Sequence, residues 1–406
     1  MLSPDSLRAK AAELASHALA LRSISLEQIA DALANAAALL RNADSDIGQR
    51  ARRDLPKSSG LDSKMVAWAL DVSLGEFTQE KLLEAWHRWQ PASLPTQSPR
   101  LTVQLLAGNV FSASFSAIAL PLLARSPVIA KASVRELAGP LLFAEAIRAS
   151  DADLGMAVEV VSFARSDPSL LRALVSQADV VGVYGSDRTL ADIRASLPAT
   201  THFQPHGHGL GVAHVSRDVL EDDALAQDAA RGLALDVAAY DQRGCLSPHA
   251  AFIEAKSERA GEIFCERVFE QLGTLHAELP RGSLPMSVGA AQLQWRGVAA
   301  SRGTLLEGDG FAVSYEGDGP LRLSPGYRNL GVYLVKDQGR FFARLAPLGA
   351  HLKAIGTSVD QVPVLRRDIP PPLAPRISTL GTMQKPPLGG PADGLNPFAG
   401  LCRFLG

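Results

Sequence analysis

The chain has 406 residues, 47% apolar and 20% charged, so it is too long for one small core and too apolar to remain unfolded; two or more packed units are predicted. A formal net charge of −2 excludes the basic excess that a nucleic-acid partner needs, and it excludes a strong acidic field. Three widely spaced cysteines, Cys245, Cys265 and Cys402, exclude a disulfide framework and a paired-cysteine metal site.

Residues 1–10 mix Asp, Arg and Lys and lack an apolar signal core. With the scarcity of cysteine, this predicts a reducing, cytoplasmic setting. Apolar stretches such as 115–124 carry Ser or Pro and fall short of the roughly 18 residues a membrane span requires. Residues 4–90 read as mostly helical, with Ser25 or Ser23 capping an Ala/Leu run to Leu40 and a second helical region over 64–85. Pro91, Pro95 and Pro99 mark a linker. From Leu101 strands and helices alternate: strands at 101–106, 128–131, 158–161 and 180–184, helices at 111–123, 137–148, 168–177 and 186–197. That alternation predicts right-handed crossovers and an α/β, doubly wound parallel sheet, whose ligands sit beyond the carboxyl ends of the strands. A bend at His206-Gly207-His208-Gly209 precedes an expected fifth strand, Val212–Val215. A helical run, 224–240, leads to Cys245, and strand 250–254 opens a second α/β unit with a helix over 258–272. Later strands are expected at 311–315 and 330–335, and 361–375, with its Pro run, reads as a crossing segment. The expected boundaries are a mostly helical part over 1–95, a doubly wound α/β domain over 96–237, a second α/β domain over 238–365, and a tail over 366–406.

The chemistry centres on Asp241-Gln242-Arg243-Gly244-Cys245-Leu246-Ser247-Pro248. A cysteine between Gly and a small polar turn is held on a tight, exposed bend, which suits a nucleophile that forms a thioester. Burial in a core is the competing expectation for any cysteine. His249, four residues on, raises a Cys-His dyad, although its proximity in sequence does not fix the geometry. Tyr184-Gly185-Ser186-Asp187 lies where a strand turns into a helix, a point where free N–H groups and the helix dipole attract phosphate; a simply capped turn is the plainer reading. The segment matches neither the GxGxxG fingerprint nor a phosphate-binding GxxxxGK[ST] loop. Lys131 ends a strand of the same sheet, where it could meet ribose hydroxyls or an extra phosphate, or simply be solvated. Asn109 sits on a Gly-Asn bend and could donate to a developing oxyanion, or merely tolerate turn geometry. His202, His206, His208 and His214 lack a structural zinc spacing. His206 and His208, two apart, are carried as candidate active-site groups acting as hydrogen-bond donor or proton shuttle, whereas His202 and His214 read as ordinary turn histidines. No metal is expected. The absence of a G-x-S-x-G elbow argues against an α/β-hydrolase.

Taken in order, Ala107-Gly108-Asn109-Val110, Ala130-Lys131-Ala132-Ser133, Val183-Tyr184-Gly185-Ser186-Asp187, the Cys245 segment, and Met383-Gln384-Lys385-Pro386-Pro387-Leu388 with Asp393-Gly394 resemble the LuxC-like acyl-CoA reductases of the aldehyde dehydrogenase superfamily, from about residue 95 onward. The resemblance implies an aldehyde dehydrogenase-like fold in which 1–95 is a helical part of the cofactor domain, 96–237 binds a dinucleotide, 238–365 is catalytic and 366–406 returns to the cofactor or oligomerisation region, with Cys245 as the acyl nucleophile and the Asn109 amide and Cys245 N–H as the oxyanion hole. It gives Lys131 to the adenosine ribose or 2′-phosphate, and Gly185 and Ser186 to the pyrophosphate. The implied cofactor is NADPH, with NADH as the alternative. The implied acyl donor is acyl-CoA, a carrier protein or a partner acyl-enzyme, and a homo-oligomer is expected by analogy. Where aldehyde-oxidising relatives carry a Glu-Leu-Gly-Gly base, this chain reads His206-Gly207-His208-Gly209-Leu210-Gly211, without a carboxylate. The implied acyl-enzyme should therefore resist hydrolysis and exchange with a thiol or accept hydride. Ser324-Pro325-Gly326-Tyr327-Arg328 replaces the Glu-x-Phe-Gly-Pro that holds the nicotinamide ribose, so no ribose role transfers there. Two rivals remain: a cysteine acyltransferase or thioesterase without redox cofactor, and a non-catalytic partner subunit of the same fold.

Overall fold

The computed structural model describes residues 2–90, 96–164 and 166–404. The chain forms two compact units. Unit one takes Met1–Ser59, Val66–His208 and Pro387–Gly406; unit two takes Gly60–Met65 and Gly209–Pro386. The sequence reading drew breaks after 237 and 365, whereas the compact units part after His208 and rejoin at Pro387. Of the expected linker prolines, Pro91 and Pro95 lie outside the described residues.

Unit one opens with helices, among them Pro4–Ser16, Leu26–Arg41 and Asp46–Ser59. Ser25, not Ser23, caps Leu26–Arg41. Its Oγ accepts from the Gln28 N–H at 3.1 Å, and the Gln28 side chain accepts from the Ser25 N–H at 3.0 Å, which satisfies two donors at the helix start. Ile29, Leu33, Ala36 and Leu40, spaced as one helical face, are buried.

The first strand, β1 (Thr96–Gln97), pairs antiparallel with Arg403–Phe404. Five more follow: β2 (Thr102–Leu105), β3 (Val128–Ala132), β4 (Val158–Ser162), β5 (Val180–Gly185) and β6 (His202–Gly207). They form one sheet in the order β4-β3-β2-β5-β6, parallel throughout, with helices Ala113–Leu123, Ala138–Ser150, Pro168–Val175 and Asp187–Ser196 as crossovers. Val103, Ile129, Val181 and Val183 form one core face with Leu170, Leu174 and Ile193. The chain lays β3 and β4 to one side of β2 and β5 and β6 to the other. The order therefore reverses between β2 and β5, which is where a doubly wound sheet opens its ligand crevice. The fifth strand of this sheet is β6, which the sequence reading took for a bend at its Gly/His end.

The expected fifth strand belongs instead to unit two, as β7 (Leu210–Val215). There it joins β8 (Pro248–Ile253), β9 (Thr304–Gly308), β10 (Phe311–Tyr315), β11 (Asn329–Leu334), β12 (Leu352–Thr357) and β13 (Arg376–Thr379). Their order is β13-β12-β7-β8-β11-β10-β9, parallel except for β9 against β10. Helices Asp223–Ala238 and Glu258–Glu278 pack on one face through Leu233, Val237, Phe264 and Val268. Phe341, Leu345 and Leu365 cover the other against Val212, Phe252, Tyr333 and Ile355. Residues 361–375 are not a plain crossing segment, because Gln361–Asp368 is helical. Pro363 falls in the first turn, where its missing N–H has no intrahelical partner to lose. No helix among the described residues is long and apolar enough to cross a membrane.

Asp236, 1% exposed in helix Asp223–Ala238, accepts from the backbone N–H groups of Gly381 at 2.6 Å and Met383 at 3.0 Å and so anchors the tail motif. Burial raises its carboxyl from 3.8 to about 7. The folded state then holds a proton that the unfolded state releases, so this contribution is complete below about pH 4 and is lost as pH rises through 7. Accordingly, the stability margin of wild type over Asp236→Asn in urea denaturation should narrow between pH 5 and pH 8; a constant margin would exclude Asp236 as a titrating anchor.

Candidate active site

In unit one, the sequence-selected residues gather at the carboxyl edge of the parallel sheet. Asn109 is exposed just beyond β2. Its neighbour Gly108 lets two strand exits close together, since a Cβ there would meet Ser133 Oγ at 2.7 Å and Ser133 Cβ at 2.9 Å. Lys131 lies near the end of β3 with its Nζ 5.2 Å from the Phe163 ring centre, a cation–π contact beyond the end of the neighbouring β4. Gly185 closes β5, and a Cβ on it would press on Thr189 at 3.0 Å. Ser186 caps helix Asp187–Ser196, its Oγ accepting from the Thr189 N–H at 3.4 Å and lying 2.9 Å from Thr189 Oγ1. His206, beside Tyr184 in the β5–β6 ladder, stacks on that ring at 4.2 Å and 15°. His208 follows β6 and is exposed.

The remaining histidines separate from this group. His202 begins β6, at the opposite end of the strand. His214 is not on a turn. It is buried in β7, with Nε2 3.0 Å from Glu254, Nδ1 3.2 Å from Thr357 Oγ1, and its ring 4.6 Å from Phe341. Among the described residues no three His, Cys, Asp or Glu side chains gather as a metal ion would need.

Cys245 lies in unit two, exposed on a turn that the Ser247 N–H closes onto the Gly244 carbonyl at 3.1 Å. The Ser247 carbonyl accepts from the Gly211 N–H at 2.8 Å, which ties the turn to β7. Gly211 leaves room for that approach, because a Cβ there would lie 2.5 Å from the Leu246 carbonyl oxygen and 2.7 Å from Met383 Cε. Met383 of the tail motif thus packs against Gly211, beside the turn. The other two thiols are poorly placed for chemistry at neutral pH. Burial pushes Cys265 up to about 12 and Cys402 up to about 11, which keeps both protonated.

The backbone leading to Cys245 is unusual. Tyr240, Asp241 and Gln242 all have left-handed φ, at 52°, 53° and 58°. Tyr327 and Arg328, directly before β11, do likewise at 53° and 67°. Each such residue costs about 1–2 kcal/mol and persists only where surroundings over-determine it. Buried polar contacts supply that determination. Asp241 Oδ1 accepts from Arg328 at 2.8 and 3.1 Å, and Asp241 Oδ2 accepts from the Gly282 N–H at 3.0 Å. Arg328 also donates to the carbonyls of Leu279 at 2.8 Å and Pro280 at 3.3 Å. The Gln242 amide accepts from the Asn329 N–H at 2.9 Å and donates to the carbonyls of Asn329 at 2.8 Å and Pro248 at 2.7 Å. It thereby links the first residues of β8 and β11. His249, the other half of the considered dyad, lies at the start of β8 with Nδ1 2.9 Å from the Ser324 carbonyl, to which it is suited to donate. Sequence reasoning quoted Asp241, Gln242 and Arg328 within motifs and gave them no part. The available signal was an Asp-Gln pair before the cysteine and an Arg-Asn pair before a strand, residue types that stay buried only when fully bonded.

No curated protein matches the chain in sequence. In structure, it is similar to an oxidoreductase from Marinobacter aquaeolei, with TM-score 0.77, 14% identity, and coverage of 100% of this chain and 90% of that one. It is similar to aldehyde dehydrogenase 21 from Physcomitrella patens in complex with succinate, with TM-score 0.76, 13% identity, and coverage of 100% and 90%. Glyceraldehyde-3-phosphate dehydrogenase GapN from Methanocaldococcus jannaschii, complexed with NADP, gives TM-score 0.71, 11% identity, and coverage of 100% and 94%. These likenesses establish the aldehyde dehydrogenase fold. The pattern of the acyl-CoA reductase (LuxC) family matches residues 21–404, nearly the whole length, and the chain belongs to that family.

Proposed function

We propose that the protein reduces an acyl thioester, acyl-CoA foremost, to an aldehyde with a nicotinamide dinucleotide as reductant, through an acyl group carried on Cys245. The observation that carries this reading is the exposed Cys245 turn, braced by buried polar contacts, in a chain of the acyl-CoA reductase family. Covalent catalysis divides one difficult step into two easier ones. The Cys245 thiolate adds to the thioester carbonyl carbon. The carbon–sulfur bond to CoA then breaks, CoA leaves as a thiolate that takes up a proton, and the acyl group remains on Sγ. Asn109 and the Cys245 N–H donate to the oxygen that turns negative at each tetrahedral stage.

The residues at the carboxyl edge of unit one suit a dinucleotide. Ser186 opens a ten-residue helix whose first N–H groups and dipole favour a phosphate, and Gly185 keeps side chain away from that approach. Lys131 adds a cation for ribose hydroxyls or a 2′-phosphate, and on this ground NADPH is favoured over NADH. The cofactor, when bound, supplies hydride to the carbonyl carbon held on sulfur. Cys245 then serves as leaving group, and its thiolate is restored as the aldehyde departs. His206 and His208 are proposed as hydrogen-bonding or proton-carrying groups near the acyl carbon, and the protein as a homo-oligomer acting in the cytoplasm.

Three measurements test this. Iodoacetamide at pH 8 should label Cys245 well before Cys265 and Cys402; labelling led by either of the others would remove the nucleophile. Incubation with acyl-CoAs of graded chain length should give a covalent mass adduct that Cys245→Ser lacks, followed by oxidation of NADPH and, more weakly, NADH at 340 nm. CoA release without any oxidation of either nucleotide would assign acyl transfer or hydrolysis instead. Asn109→Ala should lower turnover about a hundredfold, the usual effect of deleting one oxyanion donor; a loss under fivefold would strip Asn109 of that role.

A further inference from the structure

Five of the seven non-glycine residues with positive φ among the described residues fall in two short segments, Tyr240–Gln242 and Tyr327–Arg328. These two segments are fastened to each other. The Asp241–Arg328 pair joins them with 1% or less of either side chain exposed, and the Gln242 amide grips both the N–H and the carbonyl of Asn329. On the far side, Asn329 Nδ2 donates to the carbonyls of Gly326 at 2.7 Å and Tyr327 at 3.2 Å, so the second segment is held from within as well. One clamp therefore fixes the backbone that enters the Cys245 turn, and the Pro248 carbonyl, bound by the same Gln242 amide, fixes the backbone that leaves it.

We infer that Asp241, Gln242 and Arg328 are positioning residues for Cys245: they hold the two left-handed segments together and so set the direction from which Sγ meets the acyl carbon. This rests on the reading of Cys245 as acyl nucleophile. The Gln242 side chain acts here as a missing piece of strand. It presents one acceptor and two donor hydrogens to groups that would otherwise be orphaned between the ends of β8 and β11. Methionine has the same length and offers neither function. Lysine in place of Arg328 keeps the charge and loses the fork that reaches Asp241 and two carbonyls together.

The test uses the full chain, with Gln242→Met and Arg328→Lys studied at temperatures where circular dichroism shows each fully folded. Three rates or affinities are compared with wild type: acylation by acyl-CoA at saturation, alkylation of Cys245 by iodoacetamide, and binding of NADPH by fluorescence. The expected result is an acylation rate lowered at least tenfold in both variants, with alkylation within threefold and the NADPH dissociation constant within twofold, since a small reagent needs only an available thiol. Gln242→Gly should acylate faster than Gln242→Ala, because glycine adopts positive φ without strain while both lack the amide. Wild-type acylation rates in the folded variants would overturn the inference, as would acylation and alkylation of Cys245 falling by the same factor. An acyl adduct missing from wild type itself would overturn the underlying reading, and the inference with it.

Discussion

The buried ion pair of Asp241 and Arg328 is the constraint around which the Cys245 turn of unit two is built. Two opposite charges removed from water gain little net stability over apolar groups of the same size, but removal of one partner commonly costs 3–5 kcal/mol because the other is left uncompensated. Such a pair is a poor source of stability and a strong source of geometry. Here it is over-bonded: Gly282, Leu279 and Pro280 supply main-chain partners to the two side chains. That saturation allows five left-handed residues, each individually unfavourable, to persist on either side of it. The exposed Cys245 turn is thereby joined to a buried and fully bonded base.

Unit one solves a different problem by different means. Its candidate groups stand at strand exits, and much of what they offer is main chain: helix N–H groups after Ser186, and close approaches permitted by Gly108 and Gly185. Main-chain donors are indifferent to most side-chain changes. A sheet whose strands need only be apolar and whose exits need only a few glycines and caps can keep its fold at the 11–14% identity seen with the structural neighbours above. The proposed site then rests on a handful of side chains, Asn109 and Lys131 among them, placed by exits that backbone geometry already fixes.

This division explains which parts were legible in the sequence. Strands such as Val128–Ala132 and Val180–Gly185 announce themselves as apolar runs, because a parallel strand is buried on both faces. The strand His202–Gly207 does not. It lies at the sheet edge, half-exposed, with Pro205 and two histidines in its span, so its composition resembles a bend. Pairing to β5 overrides that local preference, and the same oversight assigned Val212–Val215 to the wrong sheet. Helix Met286–Arg302 was missed because two glycines, two serines and a mostly exposed surface blur its period. The Cys245 turn was legible because Gly244 and Ser247 have turn chemistry that needs no partner. Arg328 was not, since the meaning of a buried charge lies in a residue 87 positions away.

The same contrast bears on the fate of an acyl group on Cys245. A thioester in water is lost when a base makes water a competent nucleophile, and the segment running from His206 to Gly211 contains no carboxylate to do so. In this chain Leu210 and Gly211 are instead committed to architecture. His206 is stacked on Tyr184, Leu210 is buried, and Gly211 lies under the Leu246 carbonyl, where any side chain would collide with the cysteine turn. A carboxylate at Gly211 would displace the Leu246 carbonyl beside the proposed nucleophile. The packing beside the Cys245 turn thus leaves no room for a carboxylate at Gly211, which agrees with the proposed transfer of an acyl group to hydride or to another thiol rather than to solvent.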